Sequence, residues 1–279
     1  MKNLQFCAFI LVVNMTFCYS NPLYKQIRIP LDMNKGVPVT IDNIDFYIDG
    51  FEIDEEGNFY FLDGEPATLV CFSETTQIYR KEYKEFKSST IYILHNKLYI
   101  FDYKYEKNNL FVLNKTDGAV ESSYNKIIKN RVNSFLFRDT CLVMEVFDNK
   151  KNIDMTTKMG FVIFDLKGKY IKQANNRYNI PNALYPQEFE NNTTEFMGLW
   201  GSSFLYWDYN VDTRQYIFTV RDKAGKILSS KNIDEKVFGE SFYGNPSEHR
   251  RLRNGNVYVL GHDNRNAIIT ILSLTDLFK

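Results

Sequence analysis

FEIDEEGNFYFLDGEPATLVCFSETTQIYRKEY, residues 51–83, reads as four short strands joined by tight turns. The first is expected over Phe51–Asp54, before a turn at Glu55-Glu56-Gly57, and the second over Asn58–Leu62, ending at Asp63-Gly64. Thr68–Phe72 and Gln77–Lys81 complete the unit. Each run is rich in aromatic and β-branched residues and is bounded by Gly, Asp or Asn, which is the pattern of a strand between turns.

The unit recurs down the chain. A second copy is expected over Ser89–Tyr124, with Asp117-Gly118 as the hairpin before its last strand. A third runs over Val132–Ala174 and carries Asp165-Leu166-Lys167-Gly168 in the same place. A fourth runs over Glu195–Ile233, with Asp222-Lys223-Ala224-Gly225. The fifth starts near Arg250 and stops after three strands. Two marks recur in register. The second strand closes on an aspartate in every unit (Asp63, Asp102, Asp148, Asp208, Asp263), and the last hairpin carries Asp or Lys and then Gly.

A four-stranded antiparallel unit cannot bury both faces by itself, so repeated copies stack face to face around an axis. The expected fold is therefore an all-β propeller of five four-stranded blades, with six as the alternative count. The strand Lys25–Leu31, alternating in polarity and ending near Pro30, is left over at the start. It is expected to supply the missing fourth strand of the last unit and so close the ring. No stretch has convincing helical periodicity; the best candidate, Glu235–Gly239, makes one turn.

Residues 1–20 have the form of a secretory signal: Lys2, the apolar run Phe6–Val13, and Cys18-Tyr19-Ser20 before a mature start at Asn21. The mature chain, residues 21–279, is then expected to be one propeller domain that is exported, periplasmic or secreted, with no membrane span. Lipidation at Cys18 is the lesser alternative, because Phe17 stands where a small residue is expected. Cys71 and Cys141 lie in apolar strand-like runs and are read as separately buried thiols rather than a disulfide.

The sequence IDEEGNFYFLDGEPATLVCF, together with RNGNVYVLGHD and FDLKGKY, resembles the blades of NHL-like six-bladed propellers of exported bacterial proteins. Asp54, Gly57, Asn58, Tyr60 and Asp63 match the blade core of that family best. The resemblance implies a propeller of binding-scaffold or enzyme type and no single activity.

The 34 Lys+Arg balance the 34 Asp+Glu, which gives no overall electrostatic reason to expect nucleic acid or an acidic membrane as partner. The basic run His249-Arg250-Arg251-Leu252-Arg253 is read as short and half solvated. The three histidines, His95, His249 and His262, have no metal-ligand spacing, so neither metal nor cofactor is expected. No nucleophile elbow is present, and the catalytic residues of any enzyme reading stay unknown. The recurrent aspartates are read as turn caps. Unit four and its flanking loops depart most from the repeat. Trp200, Trp207, Asp208 and Tyr209, with His262 and Asp263 in the following unit, are therefore the candidate ligand-binding residues. The expected function is non-catalytic binding of a protein or carbohydrate through loops on one face. The rivals are a glycoside hydrolase or polysaccharide lyase, and a structural scaffold of an envelope assembly.

Overall fold

A computed structural model describes residues 20–21, 23–32, 34–42, 45–86, 90–102, 108–129, 132–138, 140–147, 159–174, 194–242 and 249–279. The signal-like segment before Ser20, Asp148 and most of the loop before unit four lie outside them.

Strands β1 (Ser20–Asn21) and β2 (Tyr24–Pro30) open the chain, followed by a small hairpin of β3 (Thr40–Asp42) and β4 (Asp45–Tyr47). Blade one is β5 (Gly50–Ile53), β6 (Asn58–Asp63), β7 (Ala67–Ser73) and β8 (Thr76–Tyr83). Blade two is β9 (Ile91–Leu94), β10 (Lys97–Asp102), β11 (Asn109–Asn114) and β12 (Val120–Tyr124). Blade three is β13 (Val132–Arg138), β14 (Cys141–Phe147), β15 (Met159–Asp165) and β16 (Tyr170–Ala174). Blade four is β17 (Glu195–Trp200), β18 (Ser203–Asn210), β19 (Gln215–Arg221) and β20 (Ile227–Asp234). The last three strands are β21 (Arg250–Arg253), β22 (Asn256–His262) and β23 (Asn266–Ser273). Each sheet is antiparallel, and the five blades form a propeller with almost no helix.

Ring closure follows the sequence expectation. β2 pairs with β23 along its whole length, from Tyr24 opposite Leu272 to Pro30 opposite Asn266, and becomes the fourth strand of blade five. Leu31 donates its N–H to the Arg265 carbonyl at 2.8 Å, so the antiparallel alternation turns the Pro30 nitrogen outward. Proline sits where no donor is needed, as expected of an edge strand.

The seams between blades hold the core. Ile27, Ile29 and Ile269 of blade five meet Phe51, Phe59 and Phe61 of blade one. Leu62 and Leu69 meet Ile100 and Leu113 of blade two, and Phe101 and Leu110 meet Leu142 and Phe164 of blade three. Leu205 and Phe218 of blade four meet Val257 and Leu272 of blade five. The other faces of blades three and four carry the buried side chains of Val143, Ile163, Phe204 and Tyr206. Central strands buried on both faces read as unbroken apolar runs, such as FYFL, for this reason.

The repeated motifs are turns. Asp54 accepts the Asn58 N–H at 2.8 Å, while Gly57, at φ +85°, donates to the Asp54 carbonyl. Asp165 takes the N–H groups of Lys167 and Lys169, and Asp222 takes those of Ala224 and Lys226, all at 2.8–2.9 Å. Cys71 and Cys141 are buried in blades one and three and are not joined by a disulfide. The single expected helical turn is the 3-10 turn Glu235–Val237. The α-turn Leu274–Leu277, capped by the Ser273 hydroxyl, carries no signal strong enough to read in the sequence.

Candidate functional site

The ring has two unlike ends. One carries the hairpins between first and second strands. The other, the loop end, carries the connections between blades and the finishes of the second strands. Trp207, Asp208 and Tyr209 stand on β18 toward the loop end, and His262 and Asp263 hold the matching place on blade five. Trp200 ends β17 at the opposite end, where it packs on Phe278 with ring centres 5.6 Å apart. Five of the six sequence candidates therefore share one end of two adjacent blades, and the sixth does not join them.

The alternation of β21 builds the centre of this region. Arg250 and Leu252 face blade four, while Arg251 and Arg253 face blade one. The Arg250 guanidinium lies 3.7 Å over the Trp207 ring and 4.9 Å from the Tyr216 ring. Such contact over a large π face offsets part of the cost of burying the cation. Burial lowers the Arg250 pKa, and Tyr216 and Glu195 oppose that shift. Far from being half solvated, His249 and Arg250 are both buried, because an inner strand is covered on each face by a neighbouring blade.

A ladder of rings continues from there. His262 lies between Phe46 and Phe242, with ring centres at 4.7 and 4.8 Å, and Phe242 is 5.7 Å from His249. Burial pushes the His249 pKa down to about 4, so the ring is neutral at pH 7 and its Nε2–H donates to the Ile48 carbonyl at 3.2 Å. Burial also lowers the His262 pKa, against the pull of Glu240 and Asp263, and its Nδ1 accepts the Asn264 N–H at 3.3 Å. The connection from blade five to blade one thus rests on both histidines. A small pocket beside them is lined by Tyr216, Phe238, Ser241, His249 and Arg250.

The acids divide by role. Asp263 caps its turn by accepting the N–H groups of Arg265 and Asn266, and it holds Arg28 at 2.7 Å. Asp208 is half-buried, taking the Tyr209 N–H at 2.7 Å and the Thr194 hydroxyl at 3.3 Å. The Tyr209 hydroxyl donates to Glu235, which raises its pKa, and Glu235 also binds Arg214 at 2.7 Å. Asp63 is buried beside Asp49, which raises its pKa to about 7, while the Thr40 hydroxyl at 2.8 Å acts in the other direction. On the inner strands, Glu52 accepts from Arg251 at 3.0 Å and lies 3.9 Å from Arg253. Arg253 also donates to the carbonyls of Ile53 and Ile93, joining three blades.

Sequence reading passed over His249, Arg250, Tyr216 and Phe46 as site residues. The signal for Arg250 lay in HRRLR: a basic run on an inner strand must send alternate side chains into opposite seams. Among the described residues, no group of three or more His, Cys, Asp or Glu side chains is arranged to hold a metal ion. Tyr178, Tyr185, Phe189 and Tyr243, the loop aromatics flanking the fourth unit, lie outside the described residues.

No family model matches the chain, and no curated protein matches it in sequence. Among solved structures it is similar to BamB from Moraxella catarrhalis, with 12% identity and a TM-score of 0.39, covering 89% of this chain and 96% of that one. A DUF4221-family member from Bacteroides vulgatus gives 10% identity and a TM-score of 0.44, with the same coverage. Virginiamycin B lyase from Staphylococcus aureus gives 10% identity and 0.36, covering 85% of this chain and 67% of that one. These likenesses are of fold alone, and five blades stand here where the NHL-like resemblance implied six.

Proposed function

We propose that this is an exported, non-catalytic β-propeller, one domain over residues 21–279, that binds a protein or carbohydrate through the loop end of blades four and five. The observation that carries the reading is the arrangement of Trp207, Asp208 and Tyr209 beside the Arg250, His249, Phe242 and His262 ladder. Trp207, Arg250, His249, Phe242 and His262 are buried and hold in place Asp208 and Tyr209, the half-buried polar groups left to meet a ligand. Propeller loops on one end suit such binding, because the blades hold them rigidly. The Glu52 carboxylate at the axis is engaged by two arginines, which favours a structural role for it over that of a general acid or nucleophile.

The test is a glycan array probed with the protein, reducing-sugar release assayed in parallel, and partner capture from an envelope extract. Glycan or protein binding that weakens in Asp208→Asn and Tyr209→Phe, with an unchanged melting temperature, supports the proposal. Release of sugar overturns the non-catalytic reading, and binding indifferent to both substitutions removes the site from this end.

A further inference from the structure

The fourth-strand edges of the blades are not alike. In blades one to four the outer strand carries a β-bulge just after its hairpin, where the partner register slips by one residue. A bulge turns two successive side chains toward the same side. In blade three these are Tyr170 and Ile171, and in blade four Ile227 and Leu228, each between 41% and 54% exposed. The preceding Asp-x-x-Gly-Lys turn has its aspartate locked onto backbone N–H groups, so lysines and apolar pairs are what the hairpins present to solvent.

Charge separates in the same way. Residues 125–129, 165–172 and 222–231 hold eight lysines against two aspartates, both of them the turn caps Asp165 and Asp222. All eight lysines are exposed. Tertiary structure brings the first two stretches together. Gly168, at φ +71°, sits so close to blade two that a Cβ there would lie 2.6 Å from the Ile127 side chain. Lys126 and Lys129 therefore stand beside Lys167 and Lys169. The hairpins of blades one and two differ: Lys97 is paired with Glu121, Lys115 with Glu56, and Glu74 with Lys25.

We infer that the outer hairpins of blades three and four form a docking surface for an anionic lipid membrane. Exposed Ile, Leu and Tyr beside lysines that have no acidic partner among the described residues match the two contributions of an interfacial contact: shallow apolar insertion and attraction to acidic headgroups. Net neutrality of the chain conceals the patch, because the acids that balance it lie outside these three stretches. The contact is peripheral and needs no membrane span.

The test is flotation of the full chain with phosphatidylcholine vesicles containing about 30% phosphatidylglycerol, against pure phosphatidylcholine, in low salt. Binding is expected only to the acidic vesicles. It should fall at least about tenfold in Lys169→Glu/Lys226→Glu and also in Ile171→Ser/Leu228→Ser, and be unchanged in Ile78→Ser, the exposed bulge residue of blade one. Circular dichroism verifies that each variant folds. Absence of flotation overturns the inference. So does binding that depends on the lysines but ignores the apolar pairs and is matched by soluble heparin, which would mark a general polyanion surface.

Discussion

The Asp54 carboxylate and the Lys115 ammonium meet at 3.2 Å across the seam between blades one and two. Asp54 is 1% exposed and also accepts from the Asn58 side chain and the Tyr60 hydroxyl, both at 3.0 Å. The best-preserved repeat motif of the chain is thus an interblade staple. Asp54→Ala leaves the buried Tyr60 phenol without its acceptor and leaves Lys115 with Glu56 alone. The expected loss is about 1 to 3 kcal/mol, read by urea denaturation. Lys115→Met should cost less in that variant than in the parent, since its pair with Asp54 is already gone.

Closure by the N-terminal strand makes Ile29 a keystone despite its distance in sequence from blade five. It is fully buried in the seam with blade one. Ile29→Ala should cost about 2 to 5 kcal/mol. Ile171→Ala, on an exposed edge, should stay within about 0.5 kcal/mol of the parent. Equal losses in the two would contradict the closure.

Two buried groups pull stability in opposite directions across one window, from about pH 4 to 6.5, so their slopes largely cancel in the parent. The His249 pKa is depressed from 6.5 to about 4, so its contribution is present above 6.5 and is lost as pH drops through 4. The Asp63 pKa is raised from 3.8 to about 7, so stability present below 3.8 is lost as pH rises through 7. In melting-temperature profiles between about pH 4 and 6.5, His249→Gln should tilt the curve downward with rising pH and Asp63→Asn should tilt it upward, each relative to the parent. A slope unchanged between about pH 4 and 7 in Asp63→Asn would show that the carboxyl is not buried beside Asp49.

Two turn glycines separate backbone strain from crowding. Gly57 has φ +85° and open space where a Cβ would stand; Gly168 has φ +71° and the Ile127 side chain in the way. Gly57→Ala should cost about 1 kcal/mol, and Gly168→Ala about 1 to 3 kcal/mol. The comparison is made by denaturant midpoint in otherwise identical chains.

The repeat itself was legible from residues 51–83, because strand alternation and turn chemistry are local: each needs only neighbours a few positions away. The blade count, the closing role of Lys25–Leu31 and the single turn near Glu235 followed from the same short-range rules. Asp263 as a cap was also readable, since its partners lie two and three residues on. Which face each basic residue of HRRLR meets was not, because Arg250 finds Trp207 and Arg251 finds Glu52 only when blades four and one close on blade five. The same holds for the ladder of Phe46, His262, Phe242 and His249, and for the lysine patch, whose parts come from separate blades. Sequence alone determined the strands, the turns and the repeating unit that stacks them. Tertiary structure decided which charges are buried and paired and which are left to face a partner, since both depend on contacts between residues as far as 235 positions apart.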